Sequence, residues 1–298
     1  MDRSGKWWWK LSIISPIGVF DSGLGGLTVA KRVLEKLPQE SMVYVGDEIH
    51  VPYGERTPEQ ITSFALGICE FLVHRNAKLI IMACNMSSAL ALEKAQRLFP
   101  DIPIIGVIEA GVRAALAASS GGPIGILATR GTANTKAYTK TIQRFRPDAE
   151  VFEQACPLFV PIVEDGAWDT PEAEAAVREY TAPLLAEGCR TLVLGCTHYP
   201  FLTQTIKRIV GAGITLIDPS EETTVDAANI IENTGSASPN RLEPVHTYYT
   251  SAETERFTVM GGKFLGRAIE VEKITWEMDL RAIECQETTE DRMIKSAL

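Results

Sequence analysis

Residues 78–88 read "KLIIMACNMSS" and residues 190–200 read "RTLVLGCTHYP". In each, a short run of Ile, Leu and Val ends at a cysteine, Cys84 or Cys196, and polar groups follow at once. The runs lack the apolar–polar alternation of a strand with one wet face. They predict strands buried on both faces, as in parallel sheets covered by helices. A thiol where such a strand ends is a thiol at the edge of the core. The arrangement occurs once in each half of the chain.

Outward from these two stretches the same pattern continues. Strands are expected at Ile17–Phe20, Met42–Gly46, Leu79–Ala83, Ile104–Ile108, Ile124–Thr129, Glu150–Glu153, Thr191–Gly195 and Thr215–Ile217. Amphipathic stretches lie between them: Leu27–Leu37, Pro58–His74, Ser87–Phe99, Asn134–Phe145, Pro171–Glu187 and Tyr199–Val210. Strand–helix alternation predicts an α/β protein built on parallel sheets. "SSGGP", residues 119–123, reads as a boundary, and "NTGSASPN", residues 233–240, as a loop. Near the end, "FLGRAIEVEKI" reads as a strand and Glu277–Leu298 as a charged helix or tail.

A length of 298 residues suggests two domains. A net charge of −9 argues against a nucleic-acid partner, whose footprint is basic. Six widely spaced cysteines without a CxxC pair are neither a disulfide framework nor a zinc pattern, and reduced thiols are expected. No apolar run approaches the roughly 18 residues of a membrane span. The start, "MDRSGKWWWKLSIISPIGVF", sets basic residues before an apolar stretch. Lys10, Ser12, Ser15 and Pro16 interrupt that stretch, so it is not read as a signal peptide. Trp7–Trp9 form an apolar extension that could pack on the domain or on a partner.

In open parallel sheets ligands bind beyond the carboxyl ends of the strands. Cys84 and Cys196 fall there, each just before an expected helix start, where a thiol is biased toward thiolate. Ser87 and Ser88 are expected to cap the first helix and Thr197 the second, with Pro200 early in it. "IGVFDSGLGG", residues 17–26, places Asp21 and Ser22 straight after the first strand. Its glycines do not form a dinucleotide fingerprint, because position 28 is Thr. An acid leading that loop suits an ammonium group. Asp47, His50, Tyr53 and Gly54 share a polar loop after the second strand. Glu109 is expected at a strand end, Glu164 follows an apolar stretch, and His198 lies two residues after Cys196. A Cys-x-His pair plus Cys84 lacks the usual metal-ligand spacing, so no metal is expected.

Two matched thiols suit inversion at a carbon. A proton leaves one face and another returns on the opposite face, so two acid/base groups must flank the centre. No lysine motif or phosphate cup signals pyridoxal phosphate, and no cofactor is expected.

Taken together, "IGVFDSGLGGLTV", "VPYGERT", "ACNMSSA", "GVIEAG", "ACPLFVPIVEDG" and "LVLGCTHYP" resemble bacterial glutamate racemase, in the aspartate/glutamate racemase superfamily. They occur in family order from about Ile17 to Ile274. The resemblance implies two similar doubly wound α/β domains with the active site in the cleft between them. The first would comprise 1–108 and 218–298, with 1–16 and 275–298 as extensions, and the second 109–217. It implies that Cys84 and Cys196 exchange protons with the α-carbon, assisted by Asp21, Glu164 and His198. Asp21, Ser22, Tyr53, Gly54, Asn85, Met86, Thr197 and His198 would hold the amino acid. The implied function is cofactor-independent racemisation of glutamate for peptidoglycan in the bacterial cytoplasm. A homodimer is compatible with the resemblance. One departure is Met86, where the family usually has Thr. A hydroxyl bond to a charged group is worth about 1.5–3 kcal/mol. Its absence keeps open a racemase or isomerase for another small acid such as aspartate. A non-enzymatic binding or regulatory protein on the same fold is a separate alternative, with the Trp-rich start as its partner surface.

Overall fold

The computed structural model describes residues 15–239 and 243–275. The tryptophan-rich start and the charged tail lie outside the described residues. Among the described residues ten strands form two sheets, every pair of them parallel. The first sheet contains β1 (Ile17–Asp21), β2 (Met42–Gly46), β3 (Leu79–Met82), β4 (Ile104–Gly106), β9 (His246–Thr250) and β10 (Val271–Lys273). Its order is β10-β9-β2-β1-β3-β4. The second contains β5 (Ile124–Ala128), β6 (Val151–Ala155), β7 (Thr191–Gly195) and β8 (Thr215–Ile217), in the order β6-β5-β7-β8.

The orders β2-β1-β3-β4 and β6-β5-β7-β8 are one arrangement repeated four strands later. In each, the chain leaves the first strand to one side and then crosses to the other. The crevice between first and third strands is the topological switch point of a doubly wound sheet, where ligands bind. Cys84 ends the segment after the third strand of the first unit, and Cys196 ends it in the second. The two thiols occupy equivalent places in a repeated unit.

Central strands β1, β2, β3, β5 and β7 are buried along their whole length, as their unbroken apolar runs require. The edge strands β6, β8 and β10 are partly exposed. Eleven helices among the described residues cover the sheets: α1 (Leu27–Lys36), α2 (Pro58–His74), α3 (Asn85–Leu98), α4 (Val107–Ala118), α5 (Arg130–Thr135), α6 (Ala137–Phe145), α7 (Phe159–Glu164), α8 (Pro171–Ala186), α9 (Thr203–Val210), α10 (Pro219–Asn233) and α11 (Thr254–Leu265). Helix α10 follows β8 of the second sheet but packs on α1 and α4, returning the chain to the first. One hydrophobic cluster draws on both units, from Leu27, Val107 and Phe257 to Leu127, Phe159 and Tyr199. Among the described residues no helix is long and apolar enough to cross a membrane.

Several expectations are corrected. The strand expected over Ile104–Ile108 stops at Gly106, which caps α4 in an extended conformation. Glu109 therefore lies in the first turn of a helix, exposed and 3.4 Å from Arg113, not at a strand end. The helix expected over Asn134–Phe145 is divided at Lys136, whose φ of 54° is left-handed and ends α5 before α6 begins. In "FLGRAIEVEKI" Phe264 and Leu265 finish α11, Gly266 (φ 72°) stops it, and only Val271–Lys273 is strand. Helices α10 and α11 and strand β9 were not anticipated. Their apolar positions are set by packing against the first sheet.

Candidate active site

The carboxyl ends of β1, β3 and β7 converge on one buried carboxylate. Asp21 closes β1 and is only 2% exposed. The N–H groups of Gly23 and Gly26 donate to its Oδ2 at 3.1 and 3.0 Å. Thr197, next to Cys196, donates its hydroxyl to Oδ1 at 3.4 Å. Burial raises the Asp21 pKa, and the His198 charge and these donors oppose it. The glycine loop is tight for a reason. A Cβ at Gly26 would strike Asp21, and one at Gly25 would strike His198 and Thr197. The Thr28 hydroxyl lies 3.0 Å from the Thr197 carbonyl oxygen, so the start of α1 holds the turn after β7.

Cys84 is the N-cap residue of α3 and is 5% exposed. The expected serine caps are absent. Ser88 instead donates to the Met82 carbonyl at 2.9 Å and accepts from the Val107 N–H at 3.3 Å, tying β3 to α4. Nor does the Thr197 side chain cap its helix. Pro200 opens a short 3-10 turn, Tyr199–Leu202, ahead of α9. Burial first, then the Asp21 charge, pushes the Cys84 thiol up to about 12. Ser87 and Ser22 work in the other direction, so Ser22 also faces this sulfur.

Cys196 is 8% exposed, with Sγ 3.8 Å from His198 Nδ1. On the other side of that ring, Nε2 makes a 3.3 Å ion-pair contact with Glu164 Oε1 at the end of α7. Burial works against a charge on His198. Cys196, Glu164 and Asp21 outweigh it and push the imidazole up to about 10. The imidazole is thus held toward its charged form between Cys196 and Glu164. The Glu164 pKa is lowered by its bond to His198, against burial, with help from Arg256. Arg256, on α11, reaches Glu164 at 2.9 Å and Glu48 at 3.3 Å.

The loop after β2 turns on Asp47, which is fully buried. Its carboxylate meets His50 Nδ1 at 2.7 Å and accepts from the Tyr53 hydroxyl at 2.8 Å and Ser251 at 3.0 Å. His50 stacks on Phe64 with ring centroids 3.7 Å apart. These two polar residues are spent on holding the loop. Tyr53 is buried with Cys84, Met86, Ile61 and Phe64 in a small apolar cluster. Gly54 faces the second unit. A Cβ on Gly131, in α5, would come within 2.9 Å of Gly54 Cα and 3.1 Å of Met86 Sδ. Met86 thus fills space between the units with its thioether.

Asn85 is buried, and its Oδ1 accepts a 2.8 Å bond from the Tyr138 hydroxyl of α6. Asn85 and Cys196 line one pocket, with Thr28, Thr197, Asp218 and Ser220. The structure therefore gathers Asp21, Ser22, Cys84, Asn85, Cys196, Thr197, His198 and Glu164 into one connected region, with Tyr53, Gly54 and Met86 at its edge. Sequence reasoning missed Tyr138, Thr28 and Arg256. They lie in helices, away from strand ends, and nothing local singles them out.

A doubled parallel α/β unit thus carries its polar groups at paired switch points. The Asp/Glu/Hydantoin racemase family model matches residues 17–227. Glutamate racemase of Geobacter metallireducens is 44% identical over 250 residues, covering 84% of this chain and 92% of that protein. The glutamate racemase isoform RacE1 of Bacillus anthracis has a similar structure, with TM-score 0.84, 36% identity, and 89% and 99% of the two chains covered. So does the glutamate racemase of Francisella tularensis in complex with D-glutamate, at TM-score 0.82, 33% identity, and 88% and 98% coverage. The chain belongs to the Asp/Glu/Hydantoin racemase family.

Proposed function

We propose that this isomerase interconverts L- and D-glutamate without a cofactor, using Cys84 and Cys196 as the two acid/base groups. The observation that carries the reading is the placement of both cysteines at equivalent strand ends of a repeated unit, with Asp21 coupled to both turns. In one direction the Cys84 thiolate takes the α-proton and the Cys196 thiol gives its own proton to the opposite face of the carbon. In the other direction the roles exchange, so each turnover starts from one thiolate and one thiol.

The residues around the sulfurs have matching tasks. The α-ammonium binds near Asp21. Its positive charge offsets the Asp21 charge that helps push the Cys84 thiol up. Glu164 helps keep the His198 imidazole charged beside Cys196. Hydroxyl and amide donors of Ser22, Asn85 and Thr197 receive the α-carboxylate, where charge grows as the proton leaves. Tyr53, Gly54 and Met86 border the side-chain end. The division into 1–108 with 218–298 and 109–217 belongs to this proposal, and the strand membership of the two sheets supports it. So do a homodimer and supply of D-glutamate for peptidoglycan in the cytoplasm.

The test is racemisation in deuterium oxide. Either glutamate enantiomer should lose optical activity and exchange its α-proton for deuterium, without pyridoxal phosphate or metal. Aspartate in parallel tests the role of Met86. Cys84→Ala and Cys196→Ala should each abolish racemisation, and full activity in either variant rules out the two-thiol reading.

A further inference from the structure

We infer that Tyr138 is a positioning residue for the reaction, a buried clamp that sets the two cysteine turns in register across the two units. Tyr138 is fully buried on α6 of the second unit. Its hydroxyl donates at 2.8 Å to Oδ1 of Asn85, the residue after Cys84 in the first unit. Its ring rests against Gly195, the residue before Cys196. A Cβ there would come within 3.1 Å of the ring and 2.9 Å of the Leu127 carbonyl oxygen. One side chain thus touches the neighbour of each thiol.

The chemistry of the bond fixes its direction. Burial, and next the charge of Cys196, raise the Tyr138 pKa far above the ordinary phenol range, so the group is a neutral O–H donor. A donor there selects the oxygen of the Asn85 amide. The amide N–H2, which the hydroxyl leaves unengaged, is then the donor that Asn85 can offer the pocket it lines with Cys196. Without the hydroxyl the amide can rotate and present its oxygen, which would repel a carboxylate. The left-handed Lys136 separates α5 from this helix.

The inference rests on the racemase reading for its kinetic consequence, not for the bond itself. Tyr138→Phe keeps the ring and removes only the hydroxyl. The expected result is a kcat/KM for glutamate lower by about tenfold or more, expressed mainly in KM, with a thermal midpoint close to that of the parent. The two enantiomers are equal in energy, so the loss must be the same in both directions. In an Asn85→Ala background the same change should have no further effect, since the clamp acts through that amide. Independently of activity, isotope-labelled asparagine should show the Asn85 side-chain amide signal shifted and faster-exchanging in Tyr138→Phe.

An unshifted amide signal, a kcat/KM within about twofold of the parent, or full additivity with Asn85→Ala would each overturn the clamp. If the parent protein fails to racemise glutamate, the functional reading falls, and the amide signal still decides the clamp. If Tyr138→Phe does not fold, the Asn85 amide signal is read in Tyr138→Leu and Tyr138→Met, which also lack the donor. A native signal without a donor at that position defeats the inference.

Discussion

His198 concentrates the electrostatics of this protein at the residue scale. A buried imidazole would ordinarily be neutral, and Cys196, Glu164 and Asp21 reverse that. The folded pKa of about 10 lies above the usual 6.5, so folding tightens the hold on the proton. The resulting stabilisation is complete below about pH 6.5 and is lost as the pH rises through about 10. Glu164→Gln keeps the shape of the carboxylate but removes its charge. It should lower the His198 pKa clearly below 10, as read by NMR titration of the ring, and reduce racemase activity at high pH first. A His198 titration that does not move in this variant would show that Cys196 and Asp21 suffice. Met86 shows the other side of residue-scale reading. Its identity was visible, but its packing against Gly131 and inside the cluster of Tyr53, Ile61 and Phe64 was not.

The β1–α1 turn is the element that joins the two thiol turns. It holds Asp21 through two backbone N–H groups, meets the turn after β7 through Thr28, and leaves no room at Gly25. Gly25→Ala would drive a methyl group into His198 and Thr197. Both are walled in, so neither can retreat cheaply. The expected outcome is at least a hundredfold fall in kcat/KM, about 2.7 kcal/mol of lost transition-state stabilisation. Circular dichroism should stay near native, because the fault is local. Activity within about threefold of the parent would mean that the turn is softer than its packing implies.

At the scale of the whole molecule, two charge systems join distant parts of the chain. At the end of the first sheet opposite the cysteines, Lys78 and Glu40 form a fully buried ion pair. Lys78 also donates to the Ser236 carbonyl at 2.7 Å, and the Ser238 N–H donates to Glu40 at 2.9 Å. The pair fastens the segment that leaves α10 on its way to β9. Lys78→Ala strands a buried carboxylate and should cost about 3–5 kcal/mol in urea unfolding. Lys78→Met with Glu40→Gln should cost much less, since no lone charge remains. The second system is Arg256, which bridges Glu48 of the first unit and Glu164 of the second. Arg256 is half exposed, so Arg256→Gln should change stability by less than about 1 kcal/mol. It should still raise KM for glutamate several-fold, because Glu164 loses its anchor. Added salt should weaken the parent in the same direction, and a KM indifferent to both would exclude a role for this bridge.

The α/β class, the parallel sheets and most of the strands were legible because a strand buried on both faces needs an unbroken apolar run. Cys84, Cys196, Asp21 and His198 were legible because polar residues directly after such runs must lie at the carboxyl ends of strands. Sequence alone placed β2, α2, β7 and β8 to the residue. It failed at α4, α10, α11 and β9, where local propensity is weak and burial against the first sheet makes the choice. The amino-acid order by itself thus determined which side chains stand at the ends of strands. Only the tertiary structure decided which of those ends meet, and which helix-borne groups such as Tyr138 and Arg256 hold them. Those contacts join residues far apart in the chain, and no local pattern encodes a distance across a cleft.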